Sequence, residues 1–315
     1  MRVMLAKPRG FCAGVERAIR VVELALEHYG PPVYVRKEIV HNLHVVERLR
    51  ALGAAFVDEL DEVPAGSVTI LSAHGSPPAV YAEAEHQGLR LIDATCPLVR
   101  KVHVEVRRYV KRGYRVILIG HAGHDEVIGT MGQAPEHVVL VETLDDVARL
   151  TVPAGQKAVI LTQTTLSRDD ARGIVEALRA RYPRLELPPT DDICYATQNR
   201  QTAVKQVCGK IGLLLVVGSQ NSSNSRRLTE VVRGRGVPAH LIDGPEQIDD
   251  TWLKGVSCIG VTSGASAPED IVQGVLAYLR QRGVTEIEEV AAPDEHVTFT
   301  LPRITPLTHA GEPMP

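Results

Sequence analysis

Three cysteines stand at the same kind of boundary in the chain. Cys12 lies in LAKPRGFCAGVERAI, Cys96 in LIDATCPLVRKVHVEV and Cys194 in LPPTDDICYATQNRQTAVKQV, and in each an extended or turn-rich lead gives way to an amphipathic helical pattern just after the thiol. A thiol at a helix start meets the positive end of the helix dipole and free N–H groups, so a depressed pKa is expected. Thiolates are the ligands that soft metals and iron–sulfur clusters select. The other two cysteines differ. Cys208 shares a helical face with Val204 and Ile211, and Cys258 sits inside the strand-like run VSCIGV, so both are assigned to packing. No CxxC pair marks a local zinc site, and any metal centre must be assembled from distant segments.

Polar loops supply the remaining chemistry. His41 in EIVHN and His74 in SAHGSPP end strand-like runs, where either alone would serve as a turn residue or cap. In HAGHDE, His121, His124 and Glu126 are close enough to ligate zinc or manganese, but the intervals match no helical HExxH motif. His124 and Glu126 are taken as functional; His121 is left open. Glu126 is either a first-turn residue favoured by the helix dipole or, beside a metal, a proton donor. Ser222, Ser223 and Asn224 in GSQNSSNS follow an apolar strand and precede a helix, the form of a phosphate cradle built from hydroxyls and N–H groups. Thr164 in TQTTLS and Ser266 in TSGASAPE are weaker signals of the same kind. His28, His44, His86, His103 and His240 fall within helix or strand patterns and read as surface or satisfied core histidines.

These residues recur because the elements around them recur. The runs PPVYVRK, LRLIDAT, YRVILIG and GLLLVVG read as short parallel strands, and LHVVERLRALG, RDDARGIVEALRARY and DIVQGVLAYLRQRG as amphipathic helices. Strand, polar loop, helix repeats three times, with 84 residues from Cys12 to Cys96 and 98 from Cys96 to Cys194. The expected fold is α/β: three similar small sandwich units with mainly parallel sheets, set with pseudo-threefold symmetry around a central cluster site. The expected boundaries are 1–95, 96–190 and 191–283, with a C-terminal strand and tail over 284–315. Ligands in such sheets bind beyond the carboxyl ends of the strands. His41, His124 and the Ser222, Ser223, Asn224 group take one equivalent position and His74, Thr164 and Ser266 another.

Composition excludes several classes. A net charge of −3 over 315 residues gives no electrostatic reason to expect nucleic acid or an anionic membrane. No stretch approaches the ~20 apolar residues of a membrane span, and MRVMLAKPRG is too short an apolar run for a signal peptide. Five cysteines, an odd number, point to a reducing compartment, read as the cytoplasm.

The segments PRGFCAGVERAI, EIVHN, SAHGSPP, DATCPLV, GHAGHDEVIGTMGQ, TQTTLS, DDICYATQNRQ, GSQNSSNS and TSGASAPED, in that order, resemble the 4-hydroxy-3-methylbut-2-enyl diphosphate reductases. The resemblance runs from Met1 to PDEHVTFTLPR; ITPLTHAGEPMP lies beyond it and reads as a mobile tail. It implies the last step of the non-mevalonate isoprenoid route, the reductive removal of the hydroxyl of an allylic diphosphate to give isopentenyl and dimethylallyl diphosphates. It implies that Cys12, Cys96 and Cys194 hold one [4Fe-4S] cluster whose fourth iron lacks a protein ligand and acts on the substrate oxygen. Glu126 is then the proton donor, Thr164 supports the relay near the substrate hydroxyl, and His124 positions the substrate. The diphosphate is placed against His41, His74, His124, Ser222, Ser223, Asn224 and Ser266. A ferredoxin or flavodoxin type carrier is the implied electron donor, and a monomer the implied state.

Two other readings stay open on the residues alone. One is a Cys/His zinc or iron hydrolase of a phosphorylated substrate, using Glu126 as base and needing no electron donor. The other is a non-catalytic iron–sulfur sensor.

Overall fold

Runs such as VMLA, VILI and LLLVV are apolar without alternation, which is what a strand covered on both faces requires. In the computed structural model they form parallel strands, and the structure describes residues 1–290, 295–302 and 304. In chain order the strands are β1 (Arg2–Ala6), β2 (Val33–Arg36), β3 (Ala54–Val57), β4 (Val68–Leu71), β5 (Arg90–Asp93), β6 (Arg115–Ile119), β7 (Val138–Val141), β8 (Ala158–Thr162), β9 (Leu213–Val217), β10 (Ala239–Ile242), β11 (Cys258–Ser263) and β12 (Glu286–Val290). The α-helices are α1 (Ala13–Tyr29), α2 (Leu43–Ala51), α3 (Pro78–His86), α4 (Pro97–Lys111), α5 (Asp125–Met131), α6 (Leu144–Arg149), α7 (Arg168–Arg181), α8 (Tyr195–Val207), α9 (Ser223–Arg233) and α10 (Glu269–Gln281). Among the described residues no helix is long and apolar enough to cross a membrane.

Three sheets result, ordered β10-β9-β11-β1-β12, β3-β2-β4-β5 and β7-β6-β8. All pairings between these strands are parallel. The α/β expectation with three parallel sheets is met. One assignment could not be read from the repeat: β1 precedes the first copy's other strands, yet it pairs with β11 and β12, Arg2 facing Cys258 on one side and Glu286 on the other. The strand expected near the C terminus is β12. Of the expected C-terminal segment 284–315, residues 291–294, 303 and 305–315, which include Pro293, Asp294 and Arg303 of PDEHVTFTLPR, lie outside the described residues.

Two compact units are distinguished. The first comprises residues 1–16, 41–47 and 194–298 and contains the five-stranded sheet. Alternate residues of its strands enter opposite cores: Val3, Leu5, Leu215 and Val261 pack with Val272, Val275 and Leu279 of α10, while Met4, Leu214 and Val216 pack with Val204, Val207 and Leu228 of α8 and α9. The second comprises residues 17–40, 48–193 and the described residues from Phe299 on, and contains the other two sheets. Its α4 buries Val102, Val106 and Tyr109 against Val116, Leu118 and Val159. Each fully buried valine of this kind contributes roughly 2 kcal/mol, enough to fix how the helix start is presented.

Candidate functional site

In the first unit, β9 and β11 are neighbours whose onward connections diverge, so their carboxyl ends form a topological switch point. Ser222 caps α9 after β9, its hydroxyl accepting from Ser225 N–H at 3.3 Å. The buried Ser223 Oγ has no hydrogen-bond partner in the protein, an orphaned donor at a helix start. Asn224 is committed at both ends of its amide: it donates to Thr197 Oγ1 at 3.1 Å and accepts from Ala265 N–H at 2.9 Å. Ser266 Oγ donates to the carbonyl of His41 at 3.0 Å, and the His41 ring lies 3.4 Å from the Asn221 amide.

The two thiols of this unit join the same network. Cys12 N–H donates to Ala265 O at 3.1 Å, and its carbonyl accepts from Glu16 N–H at 2.9 Å, starting α1. Cys194 caps α8, its sulfur 3.4 Å from Thr197 N and 3.2 Å from Thr197 Oγ1. Thus Cys194, Thr197, Asn224, Ala265 and Cys12 are linked in series. Burial pushes the Cys12 thiol upward, outweighing the Arg200 cation and the Val15 and Gly14 N–H groups that lower it. The depressed pKa expected for a thiol at a helix start is therefore corrected for Cys12: desolvation wins over the helix end. Burial, followed by the charge of Cys12, likewise raises the Tyr195 hydroxyl, which accepts from Ala13 N–H at 3.3 Å.

Arg200 was missed by sequence reasoning. It is fully buried and donates to Gly10 O at 2.8 Å, Ala196 O at 3.0 Å and Glu295 Oε1 at 3.1 Å. It ties the loop before Cys12 to α8 and the C-terminal segment. Its only signal was its place inside DDICYATQNRQ, since a lone arginine in a helix otherwise reads as surface.

In the second unit the loops after β4 and β5 are fastened together. Ala94 N–H donates to Leu71 O at 3.0 Å and Cys96 N–H to Ala73 O at 3.0 Å, so Cys96 and His74 sit on adjoining loops. Cys96 then caps α4, and Arg17 holds the same loop through Ala94 O and Thr95 O. Ser72 Oγ lies 3.3 Å from His74 Nδ1, and the His74 and His124 rings meet edge to face at 5.9 Å.

The loops after β6 and β8 meet at the centre of the β7-β6-β8 sheet, again where the strand order reverses. His124 caps α5 and its Nδ1 accepts from Glu126 N–H at 3.1 Å. That bond places the lone pair on Nδ1, so the neutral ring carries its proton on Nε2 and donates from there. Glu126 is 3% exposed; Thr164 N–H reaches its Oε1 at 2.7 Å and Thr164 Oγ1 its Oε2 at 2.9 Å. Both carboxylate oxygens are held by one residue. His121, left open by the sequence, has its Nδ1 2.8 Å from Glu142 Oε1, so it fastens the loop. Cys208 and Cys258 are buried in the core, as expected of packing residues.

His103 departs from the satisfied histidine expected. It is buried, and its Nε2 has no hydrogen-bond partner. The ring packs on Gly75, where φ is +80° and an added Cβ would fall 2.6 Å from His103 Cε1. Burial, then Arg107 and Arg100 against an opposing Asp93, lower its pKa from 6.5 to about 4. The folded state thus refuses a proton that the unfolded chain takes up below 6.5. Stability is expected to decline as pH falls from 6.5 to about 4 and to level off below, by up to about 3 kcal/mol for this group. Urea unfolding across that window checks it: His103→Asn flattens the slope, and an unchanged slope refutes the assignment.

The sequence profile of the family described as LytB protein matches residues 3–280. The 4-hydroxy-3-methylbut-2-enyl diphosphate reductase of Mycobacterium ulcerans (strain Agy99) is 56% identical over 303 residues, covering 96% of this chain and 91% of that protein. The protein of the same name from Actinobacillus pleuropneumoniae serotype 5b (strain L20) is 53% identical over 306 residues, covering 96% and 98%. Among solved structures, the E-1-hydroxy-2-methyl-but-2-enyl-4-diphosphate reductase from Plasmodium falciparum matches with a TM-score of 0.94 at 42% identity, covering 96% of this chain and 95% of that one. That of a second such reductase, described as the terminal enzyme of the non-mevalonate pathway, matches at 0.63 and 32% identity, covering 89% and 100%.

Proposed function

The chain belongs to the LytB protein family, and on that footing we propose that it reductively dehydroxylates 4-hydroxy-3-methylbut-2-enyl diphosphate to isopentenyl and dimethylallyl diphosphates. This is the last step of the non-mevalonate isoprenoid route. The carbon–oxygen bond breaks, two electrons and two protons enter, and the hydroxyl leaves as water. The observation that carries the reading is the buried Glu126 carboxyl, held at both oxygens by Thr164 and joined through its own N–H to His124.

Hydroxide is a poor leaving group, so a proton must reach the oxygen as the bond breaks. Glu126 is the donor in this proposal, and Thr164, whose hydroxyl already bonds to it, passes the proton. His124, donating from Nε2, and His74 at its edge orient the substrate. At the α9 start, Ser222, the unpartnered Ser223 hydroxyl and the second amide N–H of Asn224 bind diphosphate oxygens together with His41 and with Ser266, whose hydroxyl turns from the His41 carbonyl to do so, beside the N–H groups of a helix end. Cys12, Cys96 and Cys194 hold one [4Fe-4S] cluster, which when bound supplies single electrons and polarises the carbon–oxygen bond. The donor chemistry suits it: these three thiols are half-buried at helix starts, whereas Cys208 and Cys258 are in the core. Burial disfavours a lone thiolate at Cys12, and a bound cationic centre offsets that cost. The threefold disposition read from the repeat belongs to the same proposal. So do a ferredoxin or flavodoxin type donor, a monomeric state and a cytoplasmic location, the last resting on five free cysteines.

Oxygen-free protein is expected to carry about four irons with matching inorganic sulfide, and once reduced to convert the allylic diphosphate. Stoichiometric zinc without sulfide would favour the hydrolase, and a cluster-replete, reduced protein that leaves the substrate untouched would leave a sensor.

A further inference from the structure

Helix α4 keeps its basic residues on one face. Its inner face is Val99, Val102, Val106 and Tyr109, all buried, and its single acid, Glu105, is buried too. Outward stand Arg100, Arg107, Arg108 and Lys111, followed by Arg112 at the C-cap, around the half-exposed Val104. Several arginines on other helices have acids within a turn or two, as Arg20 has Glu23 and Glu27, Arg172 has Asp169, and Arg227 has Glu230. On α4 the nearest relief is Asp93, which pairs with Arg100 at 2.6 Å, while Arg107 donates to the neutral Gln133. Beyond the helix end Lys157 and Arg112 stand over the Tyr114 ring, whose hydroxyl donates to Glu186 at 2.7 Å, so the basic stripe stops there. In a chain of net charge −3 this is segregated charge.

The stripe also has a recess and a position. A cavity of about 310 Å³ opens beside it, lined by Arg100, His103 and Arg107 with Tyr81, Asp93 and Gln133. Cys96 is the N-cap of the same helix, and Arg100 N–H donates to its carbonyl at 2.9 Å. At 1.5 Å rise per residue, Arg100 is about 6 Å and Arg107 about 16 Å from Cys96 along the axis.

We infer that the outer face of α4 is the docking surface for an acidic one-electron carrier protein, which binds twice per turnover and is oxidised by one electron each time. The inference rests on the reductase reading, which requires two electrons from outside the chain. A small folded acidic protein meets the stripe alone. An extended polyanion such as nucleic acid would also run onto the rest of the surface, which in a chain of net charge −3 carries the excess of acids. Complementary charge of this kind acts on the encounter rate and is screened by salt.

The test compares two reductants for the holoenzyme: a reduced acidic plant-type ferredoxin, and dithionite-reduced methyl viologen. Arg107→Glu, Arg108→Glu and Lys111→Glu are combined in one variant; all three positions are exposed. Ferredoxin-driven kcat/KM is expected to fall about tenfold or more at low salt, with its salt dependence lost, while viologen-driven turnover does not fall. The charge-preserving Arg107→Lys, Arg108→Lys variant keeps the ferredoxin rate. Unchanged ferredoxin kinetics and salt dependence in the reversed variant would overturn the docking surface, as would loss of the ferredoxin rate in the lysine variant. Wild-type protein that turns over with neither reductant would overturn the reductase reading and the docking surface with it.

Discussion

Glu126→Gln is expected to lower kcat by about 10²–10⁴-fold with little change in KM or in iron content. The reason lies in how the carboxyl is held. Its two oxygens accept from the Thr164 N–H and hydroxyl, and the side chain is buried. Glutamine has the same shape but a single acceptor oxygen. That oxygen must stay against the backbone N–H, because an amide NH₂ cannot face another donor. The NH₂ then points at the Thr164 hydroxyl, which can accept from it, so the contact survives with its direction reversed. Fold and binding are preserved while the transferable proton is lost. Single-turnover rates with reduced enzyme check this, and near-normal turnover would remove Glu126 from the mechanism.

Cys96→Ser and Cys194→Ser are expected to abolish turnover by a different route, through loss of iron and sulfide. A serine hydroxyl is a hard, weakly acidic donor and a poor substitute for thiolate toward iron. Cys194→Ser retains the cap, because a hydroxyl can accept from Thr197 N–H as sulfur does, so the helix start is not the casualty. Cys258→Ser supplies the contrast. That thiol is in the core, and the substitution costs about 1–3 kcal/mol for a buried hydroxyl with full iron content retained. Metal and sulfide analysis of the three variants, with thermal unfolding alongside, decides the matter. A Cys96 variant keeping full iron contradicts its role as a ligand.

Much of this was legible because each site residue sits where a period changes. Apolar runs such as LLLVV and VILI announce strands covered on both faces, and the polar residues that follow them must be loops at carboxyl ends. Thr164 and Glu126 could be nominated that way; that they touch could not, since their proximity depends on β6 and β8 pairing across the sheet. Arg200 was illegible for a related reason. Its burial is created by Gly10 and Glu295, at the two ends of the chain, and no local pattern reports partners so distant. The same holds for β1, whose five residues fit any parallel sheet. The Cys12 thiol shows a competition that sequence cannot settle, because the helix end is visible in the residues but the depth of burial is not.

The placement of β1 sets an order on biogenesis. Translation delivers it ahead of all its sheet neighbours, for the strands that flank it, β11 and β12, begin only at Cys258 and Glu286. Until then β1 is a short apolar segment with two unpaired edges, the kind of segment that chaperones shield. Closure of that sheet therefore waits on β11 and β12, and the loop carrying Cys12 waits with it. Under the proposed ligation by Cys12, loading of inorganic sulfur and iron is then expected only after that sheet has closed.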